Sequence, residues 1–284
     1  MDVKEMPEII KADGTKETFQ PQKLMHSLLR AGAQEAQAHH VVEETLKTLT
    51  PHARTTDVYR RAFLLLKKTS RPLAARYALR RAMFDLGPTG FPFEDFVVRI
   101  FRAEGYEASP RHVVSGVCIS HEIDMLAKKG SETIAAELKF HNRVGYKTDV
   151  KVALYVHARF LDIKKKSETD GTVCPISSMY LVTNTKFTEQ AVIYASCAGI
   201  SLLGWSFPEG NSLLDRMTRT GVYPITALTS LSIKEKRLLL SKQIVACSDI
   251  VSDPSVLSAS GIPQEKILRV QKEAGLLCSF TPNK

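Results

Sequence analysis

Three side chains in one short stretch have the types that phosphodiester hydrolysis needs: Asp124, Glu137 and Lys139, within GVCISHEIDMLAKKGSETIAAELKFH, residues 116–141. The stretch reads as a β-hairpin. Its first arm, Val117 to Ala127, is apolar and bounded by Gly116; the turn is expected in Lys128-Lys129-Gly130, where glycine permits positive φ. The second arm alternates, with Ile134, Ala136, Leu138 and Phe140 on one face and Ala135, Glu137, Lys139 and His141 on the other. Glu137 and Lys139 therefore project the same way, and on the first arm Glu122 and Asp124 share a face. Hard carboxylate oxygens suit Mg²⁺ (or Mn²⁺), which keeps bound waters and acidifies them. A lysine beside such an ion can orient the water or stabilise developing charge. An E-x-K standing alone would read more simply as a cross-strand ion pair on a solvated hairpin.

The flanking elements must position these groups. Upstream, Phe91, Phe93, Phe96, Val97, Ile100 and Phe101 form an apolar helical face that leaves Glu94 at its edge. Glu94 is a third candidate metal ligand; the plainer reading is a glutamate favoured by the helix dipole. Downstream, His141 to Lys147 is a basic loop, and His141 and Lys147 are candidate DNA contacts. Thr148 is the expected cap of the helix DVKVALYVHARFLDIKKK, in which His157 reads as a packed or half-exposed histidine, and Ser167 to Thr172 reads as loop. Met179 to Thr183 is a buried strand, Thr188 caps the next helix, and Ile200 to Trp205 is an edge strand. His121 and His141 could line the site, but no third His or Cys lies nearby in sequence to make a zinc centre.

In this order, FEDFVVRIFRAEGYEA, the arm from Gly116 to Asp124, Glu137-Leu138-Lys139 and YLVTNTKFTEQAVIYASCAGISLLGW resemble the PD-(D/E)xK nuclease superfamily, in particular its Mrr-like restriction endonuclease branch. The resemblance runs from Gly90 to Trp205. It implies an α/β/α core with a mixed sheet, Asp124, Glu137 and Glu94 around the metal, and Lys139 as a catalytic group. The proline of the superfamily's name is missing: Ile123 precedes Asp124.

Residues 1–88 read as a separate module. Ile9-Ile10-Lys11 and Lys16-Glu17-Thr18-Phe19 flank Asp13-Gly14, a type I′ hairpin signal. Four helices follow. The first opens at Pro21, the second carries Val41 to Leu49, the third has Thr55 or Thr56 as its cap, and the fourth runs from Pro72 to Gly87. The segments IIKADGTKETF, QKLMHSLLRAG, TTDVYRRAF and ARYALRRAMFDL resemble the ATP-cone, a regulatory nucleotide-binding domain. That resemblance implies contacts to ATP or dATP from Lys11, Glu17, Lys23 and Thr55. Ala12 stands where many ATP-cones have arginine.

From Pro208 the pattern is helical without strands. Leu257…Gly261-Ile262-Pro263…Lys266-Ile267 resembles a helix-hairpin-helix turn, which can offer backbone N–H groups to a DNA phosphate, with Gly261 as the candidate contact. The plain alternative is a helical turn containing a glycine. Composition bounds the rest. A net charge of +9 over 284 residues favours a polyanionic partner. Five cysteines without a C-x-x-C pair fit reduced thiols and a cytoplasmic protein rather than a disulfide framework. The N-terminal residues lack an apolar run of signal-peptide type, and no run approaches membrane-spanning length. A P-loop glycine pattern is absent from the sequence, so ATP hydrolysis is not expected.

The expected architecture is α/β and α, in three parts: an ATP-cone with a β-hairpin over 1–88, a restriction-endonuclease-like domain over 89–207, and a helical region over 208–284. The expected function is metal-dependent DNA endonuclease activity regulated by ATP or dATP binding to the N-terminal ATP-cone through homo-oligomerisation. The alternative is a nucleotide-responsive DNA-binding regulator whose nuclease fold is silent. RNA as substrate is not excluded by the fold.

Overall fold

The computed structural model describes residues 6–11, 14–171 and 176–279. The described residues up to Phe84 form a small sheet covered by helices. Strands β1 (Glu8–Ile10) and β2 (Lys16–Thr18) pair antiparallel, with Ile9 opposite Glu17. The Lys11 N–H bonds the Thr15 carbonyl at 2.8 Å, so three residues lie between the paired ends, one more than a type I′ turn has. Ala12 and Asp13 lie outside the described residues. Gly14 has φ +85°, a conformation costly for other residues. Helices α1 (Pro21–Arg30) and α2 (Glu35–Lys47) follow, then β3 (Ala53–Arg54), which pairs parallel with β1.

Helix α3 (Thr55–Thr69) starts directly from β3. Its cap position is Arg54, whose backbone N–H is taken by Asp57 at 2.9 Å, so Thr55 is the first helical residue and not the expected cap. The expected fourth helix is two, α4 (Arg71–Tyr77) and α5 (Leu79–Phe84), broken at Ala78. Leu24, Leu28, Val41, Val42, Val58, Leu66 and Leu73 close one core over β1. Ala75, Leu79, Ala82 and Met83 turn instead to a second core, shared with the rest of the chain.

That second core begins with α6 (Phe91–Ala103), which lies on a five-stranded sheet. Along the chain come β4 (Glu107–Ser115), β5 (Ser120–Lys129), β6 (Glu132–Lys139), a two-residue strand β7 (Lys147–Thr148), helix α7 (Val150–Thr169), then β8 (Ser178–Thr183). Next come β9 (Lys186–Phe187), α8 (Glu189–Ala198) and β10 (Ile200–Leu203). The order across the sheet is β10-β8-β6-β5-β4, while β7 and β9 form a separate small parallel pair. Pairings at β4–β5 and β5–β6 are antiparallel; those at β6–β8 and β8–β10 are parallel. Parallel neighbours need a crossover, and α7 and α8 supply them. Both helices pack on the face opposite α6, so the sheet is covered on both sides, and β8 reads as a buried run. This is the mixed α/β architecture expected.

Local corrections have simple causes. Helix α7 is capped by Asp149, whose carboxylate accepts from the Lys151 N–H at 3.1 Å, because Thr148 is held in β7 opposite Phe187. The same helix runs through Thr169, past the loop expected from Ser167; Thr172 lies outside the described residues. Thr188 does cap α8, accepting from the Ala191 N–H at 3.2 Å.

The C-terminal region is helical, as expected. It contains α9 (Leu213–Thr220), α10 (Ile233–Ser241), α11 (Cys247–Ser252), α12 (Ser255–Ala259) and α13 (Gln264–Cys278). Leu213, Met217, Tyr223, Leu239, Ile250 and Leu277 join the core that holds α6 and α5. Glu273, 3% exposed, ties the region to itself by accepting the Thr229 and Ser230 N–H groups. At the α12–α13 turn the Gly261 N–H bonds the Ser258 carbonyl and the Ile262 N–H bonds that of Leu257. The donors that a helix-hairpin-helix would offer to phosphate are therefore spent inside the turn. Among the described residues no helix is long and apolar enough to cross a membrane.

Candidate active site at the parting of two strands

The site arises where β5 leaves β6. Their pairing ends at Met125 opposite Ala136, while β5 continues along β4 as far as Ser120 and β6 continues along β8 to Lys139. Asp124 and Glu137 are the next residues past the last pair, so they stand at the mouth of the wedge. The Leu138 N–H, which has lost its strand partner there, is accepted by Asp124 Oδ2 at 2.7 Å. A backbone donor near the core must find an acceptor, and this carboxylate replaces the missing carbonyl. The alternation of β5 breaks at the same point. Ile123 packs with Ala135 and α7, while Met125, two residues on, packs with α6.

Glu137 is 3% exposed and carries a cation on each oxygen. Lys139 Nζ donates to Oε1 at 2.5 Å, and Arg159 of α7 donates to Oε2. Arg159 also donates to the Glu122 carbonyl and lies over the Tyr155 ring at 4.9 Å. Burial, then the charge of Glu137, pushes the Asp124 carboxyl up from the ordinary aspartate range; the Leu138 N–H, Lys139 and Arg159 pull the other way. Glu94 is pushed up as well, by burial first and by Asp124 second. Its Oε2 accepts from Arg111 at 3.2 Å, and Arg111 reaches Asp95 at 3.0 Å with its other nitrogen. Asp124, Glu137, Lys139 and Glu94 thus form one electrostatic unit, with Arg111 and Arg159 as counter-charges.

Arg159 and Arg111 escaped the sequence reading. Arg159 looks like any arginine on a long helix, and the segment from Glu107 to Ser115 was not read as a strand. A signal did exist for Arg111: Pro110 before it and its φ of +55° mark an irregular strand, but φ is not legible from residue type here.

The charge balance tests whether a divalent cation fits. Asp124 Oδ1 and Glu94 Oε1 hydrogen-bond to nothing among the described residues. Burial raises both carboxyls first, with Asp124 adding to Glu94 and Glu137 adding to Asp124, so negative charge is crowded here. The donor set, carboxylate oxygen only, suits Mg²⁺ or Mn²⁺. Against an assembled centre, no group of three or more His, Cys, Asp or Glu among the described residues is arranged to hold a metal as it stands, and both Glu137 oxygens are taken. Asp124 and Glu94 fit the ion; Glu137 fits once Lys139 releases Oε1.

The remaining sequence candidates are dispersed. His141 is half-buried, its Nε2 at 3.1 Å from Thr148 Oγ1 and its ring 4.2 Å from that of Tyr146. Burial, then Lys139, lowers its pKa, so a neutral imidazole is favoured. Lys147 is exposed beside it on β7. His121 does not face the site: its Nε2 lies 2.7 Å from Asp162 Oδ2 on α7. Asp162 also accepts the Cys118 N–H at 2.9 Å, which with His121 holds its carboxyl well below the usual range. His157 pairs with the Tyr194 hydroxyl at 2.7 Å, a packing role as expected.

In the N-terminal module, Glu17 accepts from Lys11 at 2.8 Å and Lys23 at 3.3 Å. The Lys11 bond, and less strongly Lys23, lowers the Glu17 pKa. Ile10 pairs with Arg54 across β1 and β3, so Lys11 and Thr55 leave the sheet at the same end. The structure therefore gathers Lys11, Glu17 and Lys23, with the N-terminus of α3 alongside.

Comparison with known proteins gives three findings. Residues 223–278 match the family model described as AF1548-like, C-terminal. An uncharacterized protein of Archaeoglobus fulgidus is 36% identical over 181 residues, 63% of this chain and 97% of that protein. The crystal structure of a protein of unknown function, AF1548, aligns with a TM-score of 0.55 at 33% identity, covering 67% of this chain and 98% of that one.

Proposed function

The chain belongs to the AF1548-like family, and from its own residues we propose that it is a metal-dependent DNA endonuclease whose N-terminal module senses adenine nucleotide. The supporting observation is the wedge between β5 and β6, where Asp124 and Glu137 meet with Lys139 on the same carboxylate. That arrangement is the one the PD-(D/E)xK resemblance calls for.

Asp124, Glu94 and, after release from Lys139, Glu137 would hold Mg²⁺ or Mn²⁺. When bound, the ion supplies an acidified water and offsets charge on the phosphate. Lys139, freed by the same exchange, can orient a water or face the developing negative charge with its ammonium group. Arg159 stays on Glu137 Oε2 and on the Glu122 carbonyl, fixing the carboxylate while Lys139 moves. The Leu138 N–H holds Asp124 in one orientation. The net charge of +9 and the exposed Lys147 would draw a DNA backbone toward this edge.

The module would act as an ATP-cone, with Lys11, Lys23 and the first turn of α3 at Thr55 taking the phosphates and Glu17 placing the lysines. ATP and dATP would set activity through the homo-oligomeric state. That requires unequal affinity for two assemblies, since a ligand indifferent to state shifts nothing. A cytoplasmic location follows the reduced cysteines.

One observation favours a second reading. With both Glu137 oxygens already paired, the fold could serve a nucleotide-responsive DNA-binding regulator that does not cut. Plasmid nicking with Mg²⁺ or Mn²⁺, in the presence of ATP, dATP or neither, separates the two. Binding without nicking under every nucleotide sinks the enzyme reading.

A further inference from the structure

A cavity of about 810 Å³ lies between the N-terminal module and α9, with Lys23 in its lining. Its walls come from α1, α4 and α5 on one side and from Trp205, α9 and Tyr223 on the other. The size suits a nucleotide-sized molecule.

Two observations define its charge. First, its lining is cationic. Arg30 and Arg80 are exposed and make no hydrogen bond or ion pair among the described residues. Arg76 is fixed beside them, its Nε donating to the Ala31 carbonyl at 2.7 Å. Second, the acid in the lining, Asp215, is committed: its Oδ2 accepts both the N–H and the hydroxyl of Ser212. The Tyr223 side chain, 0% exposed, closes the cavity with its hydroxyl against Thr218, whose own hydroxyl donates to the Leu214 carbonyl at 2.8 Å.

We infer that this cleft binds a nucleoside di- or triphosphate, with Arg30, Arg76 and Arg80 on the phosphates. Planar guanidinium groups match phosphate oxygens in pairs. The aromatic wall at Trp205 and Tyr77 gives the nucleoside an apolar surface. The occupant would touch the module and the C-terminal region together, so its binding would tie the two. The inference does not depend on hydrolytic activity, and it meets the proposed hairpin nucleotide site only through Lys23.

Trp205 is the single tryptophan of the chain, so its emission reports on this cleft and not on the hairpin. The full-length protein is titrated with ATP, with inorganic tripolyphosphate and with a single-stranded oligonucleotide, following Trp205 emission beside calorimetry. Saturable emission changes with ATP and tripolyphosphate are expected. The double variant Arg30→Ala/Arg80→Ala should weaken both at least tenfold, and Lys11→Ala should leave them in place. Calorimetric heat with ATP that Lys11→Ala abolishes, without any Trp205 change, would overturn the inference and leave the hairpin site standing. A Trp205 response to the oligonucleotide alone would also overturn it, making the cleft a strand groove. Silence to all three probes would do the same.

Discussion

Asp124 Oδ2 accepts the Leu138 N–H at 2.7 Å, and so the carboxylate both closes a gap in the sheet and stands beside Glu137. The two tasks separate by substitution. Asp124→Asn keeps an oxygen for the N–H and removes the charge; Asp124→Ala loses both. Asn should cost roughly 10²–10³-fold in Mg²⁺-dependent nicking with melting unchanged or raised. Ala should in addition lose on the order of 1 kcal/mol of stability. Nicking assays paired with thermal melts check this. A fully active Asn variant would remove Asp124 from the proposed centre.

The Glu137–Arg159 pair is buried, with side chains 4% and 10% exposed. Breaking such a pair by removing one member leaves an uncompensated charge and costs about 3–5 kcal/mol. Arg159→Ala should show that loss in urea unfolding. The double change Glu137→Gln/Arg159→Met should recover most of it, because neither charge is then stranded. If Arg159→Ala is neutral, Lys139 alone suffices to hold Glu137.

The raised carboxyls set a pH dependence. A carboxylate whose folded pKa exceeds its unfolded value costs stability once both states are ionised. For Asp124 and Glu94 the native state binds the extra proton, so stability falls as pH rises through their raised pKa values. Metal binding needs the ionised forms and should strengthen over the same interval. Calorimetric Mn²⁺ titrations from the ordinary carboxylate range up to neutral pH should show affinity rising with pH, and Glu94→Gln should flatten the curve. A flat wild-type curve would mean that neither carboxyl takes the ion.

Gly116 has a specific neighbour. A Cβ there would sit 1.9 Å from Asp162 Oδ2, the carboxylate that anchors the Cys118 N–H and His121. Gly116→Ala must push that carboxylate away and should destabilise by about 1–3 kcal/mol, seen in chemical denaturation. Because Asp162 is held low by those contacts, the anchor's contribution is present above the unfolded aspartate pKa and is lost as pH falls toward the folded one. The Ala variant should therefore differ less from wild type in strong acid than at neutral pH.

Lys11 and Lys23 share Glu17, so ATP must compete with that carboxylate for both. Lys11→Met should weaken ATP binding roughly tenfold, the scale of one hydrogen bond to a charged group. Glu17→Gln, which releases both lysines, should leave it unchanged or strengthen it. Calorimetry with light scattering reads affinity and assembly together. An unchanged affinity in Lys11→Met would move the nucleotide away from the hairpin.

Much was legible along the chain because local patterns carry local information. Alternation in Ile134 to His141 told inward from outward residues on β6, Thr188 and Pro21 marked helix starts, and the mixed α/β class followed from the order of such segments. Caps at Thr55 and Thr148 were misread, since both residues are drawn into short strands or their ends by partners far away in sequence. Gly261 differs: its turn satisfies its own N–H groups with carbonyls close by in sequence.

By itself the sequence determined which residues could do chemistry and which face of each strand they share, since side-chain direction depends only on a two-residue period. Only the tertiary structure decided that β5 leaves β6 at Asp124, that Arg159 arrives from α7 to hold Glu137, and that Trp205 and Tyr223 meet Arg80 across a cleft. Those relationships join residues tens of positions apart, and packing rather than local preference brings them together.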